Sequence, residues 1–378
     1  MNKFPVGIHS FSENKIINFE LNRWYAFGLA RLEDLTEAVK SIRTIEDNKA
    51  AFWVQAKKAE EEGRLANATI YYRAAEFYVP KEDPDKVLLY NKFSECFYKA
   101  FEQEDIQRLK VPFQDAYLHA LRLGPKVKEP KGTLVIHGGF DSLIEEFYYI
   151  LAYFRDSGYE VIAFEGPGQG LTLRHYGLPL ENDWEKPTAA ILDYFNLKNV
   201  TLIGISLGGY WCLRAAAFEP RIQRVIAYGL VYDFMALPNK LLRRITAWFL
   251  KNPRRMEKSI RLKMQLDQNH RWITNQWAFI TQAKSIGEVP RHMLAMNQEH
   301  MHPEKVAQDV LLLTGEDDEF FPVKLLAKQK ANLKNARSVT TRVFTKAESA
   351  ASHCQIGNVG LALKTMSDWL ADKEKSIS

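Results

Sequence analysis

The chain has 378 residues, of which 46% are hydrophobic and 26% charged, and its formal net charge is +5. This length allows two or three domains with a large core, and so mild a positive charge does not indicate a nucleic-acid partner. Three cysteines make no disulfide framework, and no apolar run approaches the ~18 residues of a membrane span. Residues 1–20 also lack the apolar core of a signal peptide. We therefore expect a globular, cytoplasmic protein without stable membrane insertion.

The first part of the chain, residues 1–108, is predicted to be an N-terminal helical domain. Its clearest period, over residues 50–79, matches one tetratricopeptide hairpin, with small residues, glycine, tyrosine and proline at Ala56, Gly63, Ala68, Tyr72, Ala75 and Pro80. One such repeat cannot bury its own apolar face, because arrays need about three. We therefore favour a helical hairpin packed on a neighbouring domain over a peptide-binding array.

The hydrophobic pattern of the sequence changes near residue 106, where short apolar runs begin to alternate with helical patterns. Strands separated by helices imply a mostly parallel sheet with helices on both faces, and we assign residues 109–230 to the first part of this α/β core. The predicted strands are Ile106–Phe113, Ala116–Leu123, Thr133–His137, Glu160–Glu165, Asn199–Ile205 and Arg224–Gly229.

The alternation stops over residues 231–308, which are helical and rich in Arg, Lys, Trp and Met. Strand patterns return at residues 310–314 and 338–345, within the second part of the core, residues 309–378. A helical insertion on the carboxyl side of an open α/β sheet lies where ligands bind, so we interpret residues 231–308 as a lid.

A glycine-rich turn, Gly204–Gly209, carries the strongest chemical signal. It follows the apolar run Val200–Ile203 and precedes the helical pattern Tyr210–Phe218. Strand, Gly-x-Ser-x-Gly and helix form the pattern of a nucleophile elbow, which exposes a serine Oγ above a helix N-terminus. We predict Ser206 as the nucleophile and the backbone N–H of Leu207 as one oxyanion donor. The alternative is an ordinary structural turn.

A serine nucleophile needs a base and an orienting carboxylate. His353 lies in a small, polar loop after the last predicted strand, which fits the chain order serine, acid, histidine. The preceding strand is followed by four consecutive acids between Gly315 and Pro322, and their spacing selects Asp318. Asp317 is the second choice, and Asp233, after the strand before, is the third.

The loop Gly138–Ser142 follows the strand Thr133–His137 and is predicted to supply the second oxyanion donor. We favour the backbone N–H of Phe140, with that of Gly139 as the alternative. His137 is interpreted as a residue that orients this loop. The turn Glu165–Gly170 lacks the pattern of a phosphate-binding loop, and we expect it to pack beside the site.

The lid offers weaker signals about the substrate. Segment Lys240–Lys263 holds nine Lys or Arg residues against one acid, Glu257. This charge could favour an acidic or aromatic substrate or a membrane-surface contact, although a solvated basic helix face is the simpler interpretation. Trp248, Trp272 and Trp277 could line an apolar pocket or anchor the packing of the lid.

These motifs together resemble the α/β-hydrolase family over residues 133–355. The helical leader resembles in particular the branch that includes 2,6-dihydroxypseudooxynicotine hydrolase and FrsA-like esterases, whose sequences are often labelled acylaminoacyl-peptidase-like. The resemblance implies an α/β-hydrolase fold and a triad of Ser206, Asp318 and His353. Glu165 stands where relatives commonly have Asp before a Gly-Pro-Gly turn, and with Gly139, Trp248 and Trp277 it completes our candidate substrate-binding set.

We therefore expect a serine hydrolase that cleaves an ester or amide-type acyl bond of a small substrate, without a metal or organic cofactor. A peptidase acting on short peptides is one alternative, although 108 helical residues cannot form the β-propeller of true oligopeptidases. A carbon–carbon bond hydrolase of 1,3-dicarbonyl compounds is another. The leader and the lid could support a homodimer, which nothing in the sequence requires.

Overall fold

The computed structural model describes residues 4–236, 240–250 and 252–375. Within them, eight strands form one sheet in the order β1-β2-β4-β3-β5-β6-β7-β8. The six strands from β3 to β8 are mutually parallel, whereas β1 and β2 pair antiparallel at one edge. The strands are β1 (Ile106–Phe113), β2 (Ala116–Leu123), β3 (Thr133–His137), β4 (Glu160–Glu165), β5 (Val200–Ile205), β6 (Ile222–Tyr228), β7 (Asp309–Gly315) and β8 (Ser338–Phe344).

Helices precede the sheet, cover both of its faces and fill the lid. Five lie in the leader, namely α1 (Lys15–Ala26), α2 (Leu32–Ala38), α3 (Asp47–Glu61), α4 (Leu65–Phe77) and α5 (Asp85–Ala100). The core helices are α6 (Tyr148–Asp156), α7 (Gly170–Tyr176), α8 (Glu185–Tyr194), α9 (Gly208–Ala216), α15 (Leu325–Asn332) and α16 (Val359–Lys375), and the lid helices are α10 (Lys240–Leu250), α11 (Pro253–Leu266), α12 (Gln268–Thr281), α13 (Val289–Ala295) and α14 (Gln298–Met301).

The central strands are buried on both faces, as parallel strands between two helical layers must be. β5 and β7 are buried at every position, and their side chains divide between two apolar clusters on opposite faces of the sheet. The predicted mostly parallel sheet with helices on both faces is confirmed, and so is the helical insertion between β6 and β7. Because these strands run parallel, their carboxyl ends, including those of β3, β5, β7 and β8, lie at the same edge of the sheet.

The leader has its own apolar core, in which Trp24 packs edge-on against Phe52 and Phe77 at ring distances of 5.7 Å. Helices α3 and α4 form the predicted hairpin, and Gly63 turns the chain between them with a left-handed φ of +72°. Strand β1 starts at Ile106, so the domain border predicted after residue 108 falls inside this strand.

The lid rests on the leader as well as on the core. In α12, the indole of Trp272 lies 5.1 Å from the Phe77 ring, and Asn269 accepts a hydrogen bond of 2.8 Å from Asn14 Nδ2. Leader, lid and core therefore meet above the carboxyl edge of the sheet. In the described part of the chain, no helix combines the length and the apolar character needed to cross a membrane.

Candidate active site

The turn after β5 holds Ser206 in a strained conformation. Its φ is +59°, a left-handed value that non-glycine residues rarely adopt, and its N–H donates to Tyr228 O at 2.8 Å. The close strand-to-helix turn depends on glycine, because a Cβ on Gly204 would lie 2.0 Å from the carbonyl oxygen of Gly208. The backbone around Ser206 thus has the geometry of a nucleophile elbow.

His353 bridges Ser206 and Asp318. Its Nε2 lies 2.8 Å from Ser206 Oγ, and its Nδ1 lies 2.7 Å from Asp318 Oδ2. The other carboxylate oxygen of Asp318 accepts 2.9 Å hydrogen bonds from the backbone N–H groups of Phe320 and Phe321. These contacts fix the carboxylate and, through it, the orientation of the imidazole ring.

The same pair sets the protonation of the imidazole. Burial alone would lower the pKa of His353, but the neighbouring Asp318 carboxylate outweighs it and raises the pKa well above its usual value. Since the Asp318 side chain is fully buried, water screens this attraction poorly. The arrangement therefore stabilises the imidazolium that forms when His353 takes a proton.

The structure places Asp318, rather than Asp317 or Asp233, against Nδ1 of His353. Asp317 is half exposed, and its carboxylate pairs with Lys346 Nζ at 2.7 Å. The observed geometry thus agrees with the first choice, Asp318.

Neither the Phe140 N–H, in the loop after β3, nor the Leu207 N–H has a hydrogen-bond partner among the described residues. The N–H of Gly139 instead donates to Ser142 Oγ at 2.9 Å, which favours Phe140 over Gly139 as the second donor. The loop and the elbow are in close contact, because a Cβ on Gly139 would lie 2.8 Å from Leu207 N. Two N–H groups therefore stand on facing segments beside Ser206, as an oxyanion site requires.

Two side chains outside the predicted catalytic set, those of Gln169 and His137, form hydrogen bonds with the backbone of this loop. Gln169 Nε2 donates to the carbonyl oxygens of Gly138 and Gly139 at 2.9 and 3.0 Å. Burial lowers the pKa of His137 to about 3, so the ring is neutral and its Nδ1 donates to Gly138 O at 3.1 Å. The interpretation of His137 as a loop-orienting residue agrees with this contact, whereas the part played by Gln169 was missed.

The leader supports the same loop through a buried ionic cluster. Arg73 of α4 pairs with Glu146 at 2.6 Å and donates to the backbone oxygen of Asp141. Glu146 in turn accepts from the N–H of Leu143 at 3.0 Å, and Arg23 of α1 lies 3.3 Å from the Asp141 carboxylate. The helical domain is therefore bonded directly to the segment that presents the Phe140 N–H.

Ser206 and His353 open onto a cavity of about 230 Å³. Gly139 and Phe140 line it from the core, and Trp277 lines it from the lid at 4.7 Å from the Phe140 ring. Its wall is rich in aromatic side chains, namely Phe19, Phe27, Phe140, Phe147, Phe234, Trp272, Trp277, Phe320 and Phe321. The leader, core and lid each contribute to this wall.

Two candidate substrate residues do not line the cavity. Glu165 is buried, and its carboxyl turns back to accept from the N–H groups of Leu171 and Ile144 at 2.5 and 3.2 Å. Burial and the nearby Glu145 raise its pKa to about 7. Trp248 is 53% exposed on α10, where the guanidinium of Arg255 lies 4.7 Å above its ring. We therefore correct both assignments: Glu165 braces the backbone after β4, and Trp248 belongs to the outer surface.

The basic character of the lid also stays outside the cavity. Among the described residues, one lysine or arginine side chain lines the cavity, and it is Arg23 of the leader rather than a residue of the lid. Of the lid's basic set, Lys251 and the side chains of Lys240 and Arg243 lie outside the described residues. No motif in the sequence singles out Arg23 or the neighbouring Glu20, although both follow the apolar helical period of α1.

Parallel strands flanked by helices, a strained serine turn and a histidine held by a buried aspartate are together the features of an α/β-hydrolase. A family model described as "Alpha/beta hydrolase family" matches residues 133–354, more than half of the chain. The chain belongs to this family, and it is an enzyme.

Several fungal proteins are similar in sequence. Hydrolase acrC of Aspergillus aculeatus is 28% identical over 290 residues, covering 64% of this chain and 67% of the relative. Alpha/beta hydrolase psoB of Aspergillus fumigatus is 28% identical over 337 residues, covering 74% and 75%. Alpha/beta hydrolase ucsC of Acremonium is 29% identical over 286 residues, and that match spans only 57% of its length.

Two solved structures share the fold over almost the whole chain. The crystal structure of the 2,6-dihydroxy-pseudo-oxynicotine hydrolase superposes with a TM-score of 0.67 at 20% identity, covering 93% of this chain and 95% of that one. Wild-type AbyA5 gives a TM-score of 0.69 at 17% identity, covering 95% of each chain. The leader, core and lid thus recur together in other proteins.

Proposed function

We propose that this enzyme is a serine hydrolase that cleaves an ester or similar acyl bond of a small, largely apolar substrate. The observation that carries the proposal is the hydrogen-bonded series from Ser206 Oγ through His353 to Asp318, with Ser206 at the wall of a cavity lined mainly by apolar side chains. Nucleophile, base and orienting acid are all within hydrogen-bonding distance, which is the geometric requirement for this chemistry.

In the proposed mechanism, Ser206 Oγ attacks the substrate carbonyl carbon while His353 Nε2 takes its proton. The oxyanion accepts hydrogen bonds from the N–H groups of Leu207 and Phe140, each worth about 10²–10³ in kcat by analogy with other oxyanion sites. The imidazolium then protonates the leaving group as its bond to the carbonyl carbon breaks. His353 then takes a proton from water as the water oxygen attacks the acyl carbon. When the bond between that carbon and Ser206 Oγ breaks, the imidazolium returns the proton to Oγ and the carboxylic acid is released.

The size and lining of the cavity support a small acyl group. Ligand pockets for drug-sized molecules are commonly about 300–1,000 Å³, whereas this cavity measures about 230 Å³. Aromatic walls suit an apolar or aromatic acyl chain, and none of the lid's cationic side chains that the structure describes lines the cavity. The small volume also favours a short acyl group over an extended peptide.

Hydrolysis of a carbon–carbon bond is the second candidate reaction, and it stays a prediction. It would use the same Ser206, His353 and Asp318. The hydrolase names of the fungal relatives support hydrolysis without selecting the bond. The likeness to the 2,6-dihydroxy-pseudo-oxynicotine hydrolase is a likeness of fold and does not select it either. Product analysis with a 1,3-diketone distinguishes the two reactions, because only carbon–carbon cleavage yields a ketone and an acid from it.

A homodimer also stays a prediction.

The proposed activity is tested by 4-nitrophenyl esters of increasing acyl length. We expect turnover that peaks at short or medium chains, because the small cavity limits the length of the acyl chain, and a fall of at least about 10⁴-fold in Ser206→Ala. Ser94→Ala, on leader helix α5, is the matched serine control and should retain wild-type turnover. Equal turnover by wild type and Ser206→Ala would rule out Ser206 as the nucleophile.

A further inference from the structure

Helix α1 brings a polar pair from the leader into the cavity. Ile16, Phe19, Glu20, Arg23 and Phe27 recur at helical spacing and line the same cavity as Ser206. The ring of Phe19 lies 6.3 Å from that of His353, which places this helix against the catalytic groups. Glu20 and Arg23 are therefore polar groups in a mostly apolar wall, to which Asp141 and Ser142 also belong.

The pair is incompletely satisfied within the described chain. Glu20 Oε2 and Arg23 Nε lie 2.8 Å apart, yet both atoms are enclosed and neither has a hydrogen bond among the described residues. Glu20 is only 4% exposed, and none of the described residues donates a hydrogen bond to its carboxyl group. Buried polar groups are nearly always hydrogen-bonded, so a group left open toward a cavity indicates a ligand or a water.

The surrounding charges make the pair suited to an uncharged partner. Arg23 faces the carboxylates of Asp141 and Glu146 at 3.3 and 3.4 Å, and Arg73 of α4 faces the same two acids. Burial and the charges of Asp141 and Glu146 outweigh the attraction of Arg23 and raise the pKa of Glu20 to about 8. At neutral pH its carboxyl group is therefore protonated and can both donate and accept.

We propose that Glu20, positioned by Arg23, forms a subsite that binds an uncharged oxygen, carbonyl or hydroxyl, on the acyl part of the substrate. This inference rests on the proposed serine hydrolase function and specifies its substrate class as an apolar acyl group bearing one polar oxygen. A carboxylate would fit poorly, since it would add a negative charge beside Asp141 and Glu146.

The subsite is tested with matched esters that differ by one ketone, 4-nitrophenyl 5-oxohexanoate and 6-oxoheptanoate against the plain hexanoate and heptanoate. We expect the wild type to prefer one of the keto esters by roughly tenfold in kcat/KM, the value of one well-made hydrogen bond. Glu20→Leu should reduce this ratio to about one. Glu33→Gln, at an exposed glutamate of α2, is the control and should keep the wild-type ratio.

A second variant separates hydrogen bonding from folding. As pH rises through about 8, the wild-type carboxyl ionises and stops donating, so the keto preference should fall. Glu20→Gln retains an N–H donor that does not ionise, so its preference should persist from pH 6.5 to 9. The subsite would be overturned if the keto preference of wild type and of Glu20→Gln changed in the same way with pH. It would also be overturned if the wild type showed no keto preference.

Failure of the subsite is distinguishable from failure of the proposed function. Covalent labelling of wild-type Ser206 by a fluorophosphonate reports on the nucleophile and needs no contact with Glu20. Labelling with an unchanged keto ratio in Glu20→Leu would reject the subsite and leave the hydrolase proposal standing. Absence of labelling would reject both.

Discussion

Replacement of Arg73 by methionine should weaken both the fold and the oxyanion site. The side chain of Arg73 is almost completely buried, pairs with Glu146 at 2.6 Å and with Glu76, and donates to the backbone oxygen of Asp141. Methionine keeps much of the volume but removes every one of these contacts. The variant therefore leaves two buried carboxylates short of a partner and frees the loop that carries Phe140.

The magnitude follows from those contacts. Removal of one partner from a buried ion pair costs about 3–5 kcal/mol, because the remaining charge stays desolvated. At roughly 2–4 °C per kcal/mol for a domain of about 200 residues, Tm should fall by about 10 °C. Loss of one oxyanion donor costs about 10²–10³ in kcat, so a displaced donor should cost at least about tenfold.

The assay combines thermal unfolding with kcat and KM on a short-chain 4-nitrophenyl ester at a temperature where the variant is folded. We expect kcat to fall and KM to change less, because in the proposed mechanism the Phe140 N–H acts on the developing oxyanion rather than on the bound ester. Arg31→Met is the control, since Arg31 is 46% exposed and its pair with Glu33 at 3.4 Å should be worth less than about 1 kcal/mol.

A second variant tests the cause of the destabilisation. If the cost is an orphaned charge, adding Glu146→Gln to Arg73→Met should restore part of the lost stability, because glutamine is neutral and still accepts from Leu143 N–H. The reasoning would be refuted by an Arg73→Met protein with wild-type Tm and kcat. It would also be refuted by a double variant whose stability losses simply add.

Three further outcomes are expected. Gly139→Ala should lower kcat by about 100-fold, since its Cβ would lie 2.8 Å from the nitrogen of Leu207, and a crystal structure of the variant with an unmoved loop and full activity would contradict this. His353 must be neutral to act as a base, and Asp318 raises its pKa, so kcat/KM should rise with pH. Asp318→Asn should move this rise to lower pH and reduce the maximal kcat/KM. A rise at unchanged pH would contradict the pairing of Asp318 with His353. Trp277→Ala should raise KM severalfold, whereas Trp248→Ala, at an exposed position, should change kcat/KM by less than about twofold, and equal effects would contradict the placement of the cavity.

The residues around the proposed nucleophile were predictable because local rules place them. Gly-x-Ser-x-Gly between a strand and a helix dictates the turn at Ser206, and the carboxyl ends of parallel strands meet at one edge of a sheet. His353 and Asp318 follow the last two strands, so their approach to Ser206 follows from topology. The helical hairpin at Gly63 was visible for the same reason, as a short-range pattern.

The contributions of α1 and of the lid surface were beyond such rules. Glu20 and Arg23 reach the cavity through contacts between segments more than 100 positions apart, and their sequence shows only an amphipathic helix. Trp248 was misassigned because an aromatic residue in a basic helix carries no local sign of which face it occupies. Glu165 was misassigned because its carboxyl returns to backbone N–H groups on both flanking segments, a bond pattern that spacing does not reveal.

The most direct test of the serine hydrolase assignment is covalent labelling of the folded protein with a fluorophosphonate, followed by peptide mass spectrometry. We predict one adduct per chain, located on Ser206, absent in Ser206→Ala and formed far more slowly in His353→Ala, because the base must accept the serine proton. Intact, folded protein that takes up no label, or an adduct on any other residue, would contradict the assignment.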